Sequence, residues 1–220
     1  MNRSQQDGTQ STVRTHRELL GLWEELADVY DSDALTAGVI YPSIIEKVEE
    51  ALHPADRLLD VGSGTGTLTA HVAPLVKHLT CSDVSPEMME LARDRLAPFD
   101  NVDYRAENVK SLTFVDDVFD AILCCNVLHQ MPDPEPALRE MLRVLRPGGR
   151  LIAITVTSGE ISLGGRWHAD IQFLHRFSIL QVLRSFTLST FYRAVARAGF
   201  ATLETLWENR DPLPTAFILA

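Results

Sequence analysis

The stretch that decides the fold of this chain is Leu58-Leu59-Asp60-Val61-Gly62-Ser63-Gly64-Thr65-Gly66-Thr67-Leu68-Thr69. An apolar strand ends in an acidic residue, three glycines follow at alternate positions, and a run with helical character comes next. Because glycine has no Cβ atom, such a loop can turn sharply and let the backbone lie against a ligand. The following helix directs free N–H groups back at the loop. The stretch therefore predicts a βα turn that either holds a ligand or serves only as a tight connection.

The spacing of the glycines distinguishes between two kinds of nucleotide ligand. A dinucleotide fingerprint has the pattern G-x-G-x-x-G, which leaves room for a pyrophosphate at the helix N-terminus. Here the pattern is D-x-G-x-G-x-G, formed by Asp60, Gly62, Gly64 and Gly66. The acid ahead of the first glycine would repel a pyrophosphate but suits a cationic amino acid. The spacing therefore disfavours an NAD-dependent oxidoreductase.

A second acidic residue, Asp83, follows the next predicted strand. It lies 21 residues after Gly62, close to the spacing at which an acid meets a ribose in doubly wound folds. Its carboxylate can accept hydrogen bonds from both ribose hydroxyls, so it indicates a nucleoside without saying which one. The alternative is an acid that merely favours the N-terminus of a helix, since Ser85 and Pro86 are typical of the start of one.

The composition limits the class of protein. The length of 220 residues and the hydrophobic content of 45% are those of one α/β domain with some decoration. The net charge of −10 argues against a nucleic-acid partner, which would call for a basic face. All apolar runs are shorter than the ~18 residues of a membrane span, and the polar start of the chain does not resemble a secretory signal.

The three cysteines are Cys81, Cys124 and Cys125, and each lies in an apolar run that predicts a strand. Their odd number and their setting favour buried free thiols over a disulfide framework or a zinc site. We therefore expect no metal and a reducing, cytoplasmic setting.

Four ordered motifs resemble those of class I S-adenosylmethionine (SAM) dependent methyltransferases, in particular the small-molecule, methyltransferase type 11 or UbiE-like family. The glycine loop resembles the first motif of that family, and Asp83–Met88 resembles the second. Glu107–Phe114 stands where the family usually has D-A-x-x-L-P-F, and Arg143–Leu151 carries its R-V-L-R-P-G-G-R-L run. The resemblance covers residues 50–220 well and the N-terminal part loosely.

The resemblance implies an α/β fold: a Rossmann-like, seven-stranded, mostly parallel sheet of order 3-2-1-4-5-7-6, flanked by helices, with an antiparallel last strand. The expected parts are a disordered tail (1–12), an N-terminal helical cap (13–53) and a SAM-binding domain (54–220) with a lid insertion (157–188). The patterns predict strands at Arg57–Val61, Lys77–Ser82, Val102–Ala106, Phe119–Cys125, Leu151–Val156, Phe200–Trp207 and Thr215–Ala220. They predict helices at 13–30, at Pro42–Leu52, from the glycine loop to Leu75, after Ser85, from Asp133 through Arg146, and at Ser189–Ala198.

The cofactor implied by the resemblance is SAM, with S-adenosylhomocysteine as its product. In the family the glycine loop wraps the methionine part of SAM, and the tyrosine of an A-x-x-Y-D stretch, here Tyr30, closes over it. Val84 and Met88 would flank the adenine, although Met88 could equally be core. Asn108 replaces the usual acid at the adenine amine, with Glu107 as the alternative partner. The predicted cofactor-binding residues are Tyr30, Asp60, Gly62, Ser63, Gly64, Gly66, Asp83, Val84, Met88, Asn108, Val109 and Asn126.

Three histidines are candidates for acid–base chemistry. Methyl transfer from a sulfonium requires mainly that the acceptor be positioned and water excluded, and a general base helps when the acceptor is a hydroxyl or a carbon acid. His129 comes directly after the fourth strand, at the edge where α/β sheets bind ligands, and its ordinary pKa suits proton transfer near neutrality. His168 and His175 of the expected lid are the other candidates. The alternative for His129 is a structural role, and the alternative for His168 and His175 is that of exposed loop histidines.

The segment after the fourth strand, Asn126-Val127-Leu128-His129, has no N-P-P-Y-like tetrapeptide of the kind found in enzymes that methylate amines of nucleic acids or proteins. Together with the acidic charge and the apolar lid, it favours a small, hydrophobic acceptor, such as a polyketide, terpenoid or quinone-like molecule of secondary metabolism. We therefore predict O- or C-methylation by a monomer or homodimer. Two alternatives remain open, namely a SAM-binding cyclase or pericyclase of the same fold and a non-enzymatic SAM-binding partner subunit.

Overall fold

The computed structural model describes residues 42–157, 187–208 and 215–220. The predicted tail, the helix at 13–30 with Tyr30, and nearly all of the lid, including His168 and His175, lie outside the described residues. The division of the chain into tail, cap, SAM-binding domain and lid therefore stays a prediction.

The described residues form one seven-stranded sheet of order β3-β2-β1-β4-β5-β7-β6. Strands β1 to β5 pair in parallel, and β7 runs antiparallel to both of its neighbours, β5 and β6. This confirms the fold class and the strand order expected from the resemblance. The strands are β1 (Arg57–Val61), β2 (His78–Asp83), β3 (Val102–Ala106), β4 (Phe119–Cys125), β5 (Leu145–Val156), β6 (Glu204–Glu208) and β7 (Thr215–Leu219).

Five α-helices of the described residues accompany the sheet. They are α1 (Pro42–Ala51), α2 (Thr67–Val72), α3 (Pro86–Leu96), α4 (Glu135–Val144) and α5 (Leu188–Ala198). Helix α3 begins as the sequence predicts, because the Ser85 hydroxyl accepts a hydrogen bond of 3.2 Å from the Met88 amide. The helix after the glycine loop is shorter than predicted: α2 ends at Val72, and a 3₁₀ turn containing Pro74 covers Ala73–Leu75.

Both faces of the sheet are covered by apolar cores, as expected for parallel strands. Along β1, Leu59 packs on the face that carries α4 and α5, whereas Leu58 packs on the face that carries α1, α2 and α3. Successive side chains of a strand point to opposite faces, so Asp60 shares the face of Leu58. In β5, by the same alternation, Thr155 shares the α4 and α5 face with Ala153.

The prediction for the junction of the fourth helix and the fifth strand is wrong. Helix α4 ends at Val144 rather than Arg146, and β5 begins at Leu145 rather than Leu151. Arg146 precedes Pro147, and the residue before a proline is pushed out of the helical region. Leu145 already pairs with Phe119, and the register shifts before Arg150 pairs with Ala121. The proline–glycine run is thus an irregularity inside the strand.

Other boundaries also differ from the predictions. Pro134 is the N-cap of α4, while Asp133, the predicted cap, stands one residue earlier and accepts a 3.1 Å hydrogen bond from the Glu135 amide. Helix α5 begins one residue early at Leu188, after a Thr187 cap. Strand β6 begins at Glu204 instead of Phe200, because Phe200 follows the left-handed Gly199 and is buried in the core.

The three cysteines are free thiols in strands β2 and β4, as predicted. Of the described helices, none has the length and apolar character needed to cross a membrane. Within the same residues, no three His, Cys, Asp or Glu side chains are grouped so that they could hold a metal ion.

Candidate active site

The carboxyl ends of the parallel strands carry the polar residues of the candidate site, at the edge of the sheet where α/β folds bind ligands. The glycine loop leaves β1 with Gly62 at φ +67°. A Cβ atom on Gly62 would lie 2.3 Å from Cγ2 of Val127, in the segment after β4. Glycine is therefore needed here both for the backbone conformation and for the close approach of two loops.

At the other two positions of the loop, glycine is present for different reasons. Gly66 has φ +79°, and a Cβ atom there would lie 3.2 Å from Cβ of Ala92, so it lets α2 and α3 pack closely. Gly64 has φ +55° but open space around its Cα, with no atom within 4 Å of the position of a Cβ. The middle of the loop is thus open on the side of the site.

Hydrogen bonds to β2 hold the glycine loop in place. The Ser63 amide donates to the Ser82 carbonyl at 2.9 Å, and the Gly66 amide donates back to the Ser63 carbonyl at 3.1 Å. Beneath the loop, the Cys81 thiol donates to the Ser63 hydroxyl at 3.1 Å. The Ser63 side chain is therefore engaged with the sheet.

Asp60 ends β1 as a buried carboxyl group that is 2% exposed. Its Oδ2 accepts a hydrogen bond of 2.5 Å from the Thr69 hydroxyl, one turn into α2. Burial raises the pKa of Asp60 to about 7, with a smaller contribution from nearby Asp83, while the Thr69 hydrogen bond acts in the opposite direction. Because this pKa is close to 7, the carboxyl group can lose its proton when a cationic ligand binds.

Asp83 stands at the end of β2, opposite the loop. One carboxylate oxygen accepts from the Gly64 amide at 2.9 Å, and the other accepts from the Ser85 amide at 2.9 Å. Burial raises the pKa of the carboxyl group, and these amides oppose the shift. Asp83 therefore ties the glycine loop to the start of α3, and its remaining lone pairs can accept from a ligand.

The two residues expected beside a purine differ in exposure. Val84 is exposed, at 39%, whereas Met88 is 3% exposed. Met88 belongs to neither of the two apolar cores, although its neighbour Met89 does. Met88 is nevertheless one of the buried hydrophobic residues, so its role as plain core stays open beside contact with a purine.

The loop after β3 places Glu107 and Asn108 very differently. Glu107 is buried, and its two carboxylate oxygens accept from the amide and the hydroxyl of Thr113, at 2.9 and 2.5 Å. Asn108 is exposed, and its side-chain oxygen accepts from the Lys110 amide at 3.0 Å. Half-buried Val109 packs against the α4 and α5 core. Glu107 thus has a structural role in closing this loop.

Asn126 follows β4 in the left-handed conformation, with φ +57°. Its amide donates to the Ile154 carbonyl at 2.8 Å, and its side-chain oxygen accepts from the Val156 amide at 3.2 Å. The Gln130 side chain donates to the Asn126 carbonyl at 2.6 Å. Asn126 therefore extends the pairing of β4 with β5 and fixes the 3₁₀ turn at Leu128–Gln130.

His129 lies in that turn and is 7% exposed. Its Nδ1 is 2.9 Å from the hydroxyl oxygen of Thr155 in β5. Burial lowers the pKa of His129 to about 4, so the imidazole is neutral near pH 7. The structure thus places a neutral histidine at the carboxyl ends of β4 and β5, across the sheet from Asp60.

The sequence patterns found the acids, the glycines and His129 but missed three residues that contact them, namely Thr69, Val127 and Thr155. A weak signal existed for Thr155, which is a hydroxyl within an otherwise apolar strand, and for Thr69, which is polar on the buried side of a helix. Val127 carries no such signal, because its contact with Gly62 joins two loops that are distant in the sequence.

Residues 59–153 match a family model described as a methyltransferase domain. Together with the ordered motifs and the seven-stranded fold, this match supports the resemblance to class I SAM-dependent methyltransferases and SAM as the cofactor. One relative, the ubiquinone/menaquinone biosynthesis C-methyltransferase UbiE of Vibrio parahaemolyticus, is 40% identical over 107 residues. The match covers 46% of this chain and about two fifths, 41%, of that relative.

Two solved structures show how widely the fold is shared. The 4+2 cyclase SpnF superposes with a TM-score of 0.73 at 20% identity, covering 94% of this chain and 96% of that one. The N-methyltransferase NodS of Bradyrhizobium japonicum, solved with S-adenosylhomocysteine, has a TM-score of 0.69 at 17% identity, with 91% and 96% covered. At these identities the likeness establishes the fold alone.

Proposed function

We propose that this protein transfers the methyl group of SAM to oxygen or carbon of a small, hydrophobic acceptor. The observation that carries the proposal is the arrangement at one edge of the sheet: a buried acid, Asp60, and a partly buried acid, Asp83, lie around an open glycine loop, and a neutral histidine follows the adjacent strand. The acids suit a cationic nucleoside, and the histidine suits the loss of a proton from an acceptor.

The acids have separate roles toward the cofactor. Asp60 faces the methionine part, where its carboxylate stabilises the ammonium group, and the open backbone at Gly64 lets that part approach. Asp83 accepts from the ribose hydroxyls with the lone pairs that the Gly64 and Ser85 amides leave free. Val84, Met88 and Val109 contact the adenine, and Asn108 or Glu107 lies beside its amine. Tyr30 closes over the cofactor.

His129 acts as the general base. SAM, held by Asp60 and Asp83, would supply an electrophilic methyl group to the acceptor and would become S-adenosylhomocysteine. The acceptor proton moves to the imidazole, which returns it to water after the transfer. Because burial keeps His129 neutral near pH 7, its lone pair is available throughout the neutral range. His168 and His175 remain the alternative bases.

The acceptor is a small ring compound with an acidic O–H or C–H, such as a hydroquinone. The acidic net charge and the apolar residues between 157 and 188 support this class, and so does the quinone-pathway C-methyltransferase that the chain resembles over 46% of its length. We place the protein in natural-product biosynthesis, in the cytoplasm, as a monomer or homodimer.

The proposal is tested with methyl-labelled SAM and a hydroquinone carrying an isoprenoid chain. We expect a product heavier by one methyl group, and the position of the label distinguishes C- from O-methylation. The His129→Gln variant should bind SAM with unchanged affinity but turn over more slowly by a factor of about 10². Turnover by His129→Gln at the wild-type rate would contradict the role of the base.

A second candidate is a SAM-bound cyclase without methyl transfer, since the fold is shared with the 4+2 cyclase SpnF. Such a reaction yields a product of unchanged mass and consumes no SAM. Mass spectrometry of the same assay, run with polyene as well as hydroquinone probes, decides between the two. A non-enzymatic subunit is disfavoured because the glycine loop and both acids are intact.

A further inference from the structure

We propose that Thr155 is a positioning residue that holds His129 as the tautomer with its proton on Nδ1, so that Nε2 presents a lone pair to the acceptor. The inference deepens the proposed function, on which the role of His129 rests. Thr155 itself touches neither cofactor nor acceptor in this account. It acts through the ring of the histidine.

The position of Thr155 is fixed from two sides. The Ile154 carbonyl accepts from the Asn126 amide, and the Val156 amide donates to the Asn126 side chain, so β4 holds the backbone on both sides of Thr155. On the other edge, Thr155 pairs with Ala216 of β7. Its side chain is fully buried, at 0% exposure. The hydroxyl therefore has little freedom to follow the histidine, and the histidine must adapt to it.

The hydrogen bonds open to Thr155 favour one tautomer. A hydroxyl carries one hydrogen, and the Val156 carbonyl, 3.4 Å from the Thr155 oxygen, is an acceptor for it. In the proposed arrangement the hydrogen is donated there, and toward Nδ1 of His129, at 2.9 Å, the same oxygen acts as the acceptor. An accepting oxygen requires a proton on Nδ1. In a neutral imidazole this leaves Nε2 unprotonated, which is the form a base needs.

The second ring nitrogen of His129 remains available to a ligand. The residues that the structure describes provide no hydrogen bond to Nε2, and the buried polar side-chain atom among them that lacks a partner is Thr202 Oγ1. Nε2 is thus left for a ligand, and His129 as a whole is 7% exposed. An acceptor at the carboxyl ends of β4 and β5 can meet this atom directly.

The tautomer can be read without any acceptor. In protein labelled with ¹⁵N at its histidines, the His129→Gln variant identifies the His129 signals, and their shifts show which nitrogen carries the proton. We expect Nδ1–H in the wild type and in Thr155→Ser, which keeps the hydroxyl. Thr155→Val, which has the same shape without the hydroxyl, should shift the population toward Nε2–H. Thr80→Val, the same change at a buried threonine of β2, should leave the signals unchanged.

Kinetics then links the tautomer to turnover. Thr155→Val should lower kcat at least about tenfold, with the affinity for SAM unchanged, while Thr155→Ser stays within about twofold of wild type. The inference is overturned if wild-type His129 carries its proton on Nε2, or if Thr155→Val leaves the tautomer unchanged. Should no acceptor be methylated at all, the proposed function fails, but the spectra still decide whether Thr155 sets the tautomer.

Discussion

Gly62 is the residue at which the site leaves least room for change. Gly62→Ala places a Cβ atom against Val127 and forces a left-handed backbone on alanine, which together should lower the free energy of unfolding by about 3 kcal/mol and abolish SAM binding. Gly64→Ala meets no atom, so only the backbone cost of about 1 kcal/mol remains. Urea unfolding and calorimetry measure both effects.

The contact itself can be isolated with a second substitution. Val127→Ala leaves only a Cβ atom, which stands 3.5 Å from the new methyl group, an ordinary contact distance. The double variant Gly62→Ala with Val127→Ala should therefore be more stable than the sum of the single changes predicts, by about 1 kcal/mol or more. Strict additivity would mean that the two loops do not touch.

Asp60 should make SAM binding depend on pH. Its pKa is raised to about 7, so below this pH the carboxyl group of the free protein is protonated, and binding of the ammonium group must release that proton. The affinity for SAM should fall by up to about tenfold per pH unit below that value. Calorimetry in buffers of different ionisation enthalpy detects the proton. In Asp60→Asn the affinity should be weaker and independent of pH; proton release by that variant would refute the assignment.

Asp60 also makes the stability of the ligand-free protein depend on pH, in the direction opposite to that of the affinity for SAM. Because the folded state raises the pKa from 3.8 to about 7, folding favours the protonated form. The stabilising contribution is present at low pH and is lost as the pH rises through about 7. SAM binding should offset the loss of stability at high pH, because the ammonium group of SAM pairs with the ionised carboxylate of Asp60.

At this scale the sequence predicts the residues whose chemistry is visible in a local motif. The acids, glycines and histidine stand at recognisable spacings from a strand end. The contacts of Thr155 and Val127 could not be predicted, because they join segments separated by dozens of residues; the hydroxyl of Thr155 in an apolar strand is only a weak signal, and Val127 gives none. Glu107, the alternative ligand acid, accepts two hydrogen bonds from Thr113, which the local pattern does not reveal.

Among the elements, α1 is linked to the sheet by a buried ion pair. Arg150 of β5 binds the carboxylate of Asp56 and also donates to the Ala51 carbonyl at the end of α1. The two side chains are 16% and 5% exposed. Arg150→Ala leaves Asp56 buried and unpaired, which should lower the free energy of unfolding by about 3 kcal/mol or more.

Arg146 provides the matched control for this prediction. It pairs with Asp120 at 2.7 Å, but the two side chains are 42% and 28% exposed. Arg146→Ala should cost no more than about 1 kcal/mol in urea unfolding. Equal losses for the two arginines would show that burial does not separate the two pairs.

The junction of α4 and β5 shows where element prediction fails. In the run from Leu145 to Gly149, the proline and the two glycines end a helix. Local rules therefore assign Leu145 and Arg146, which come before them, to the helix. The tertiary structure instead pairs Leu145 with Phe119 of β4, so strand geometry starts ahead of the proline. Pairing between distant segments cannot be seen in a local pattern, whereas α3, with its Ser85 cap and Pro86, can be predicted from its own residues.

At the scale of the whole molecule, the strand order followed from the resemblance and not from periodicity. Alternating strands and helices predict a parallel sheet, but nothing local says that β7 inserts between β5 and β6. This order places the ends of β1, β2, β4 and β5 side by side. Asp60 and Asp83 thus lie on one face of the sheet and His129 on the other face, all at the carboxyl ends of the parallel strands.

The central claim is that this edge holds SAM, and titration calorimetry of the wild-type protein, freed of any bound ligand, tests it most directly. SAM, S-adenosylhomocysteine and NAD are titrated in turn near pH 7.5. We predict binding of both sulfur nucleosides at one site per chain, with no heat from NAD. Binding of NAD, without binding of SAM or S-adenosylhomocysteine, would contradict the account of the glycine loop and of the mechanism built on it.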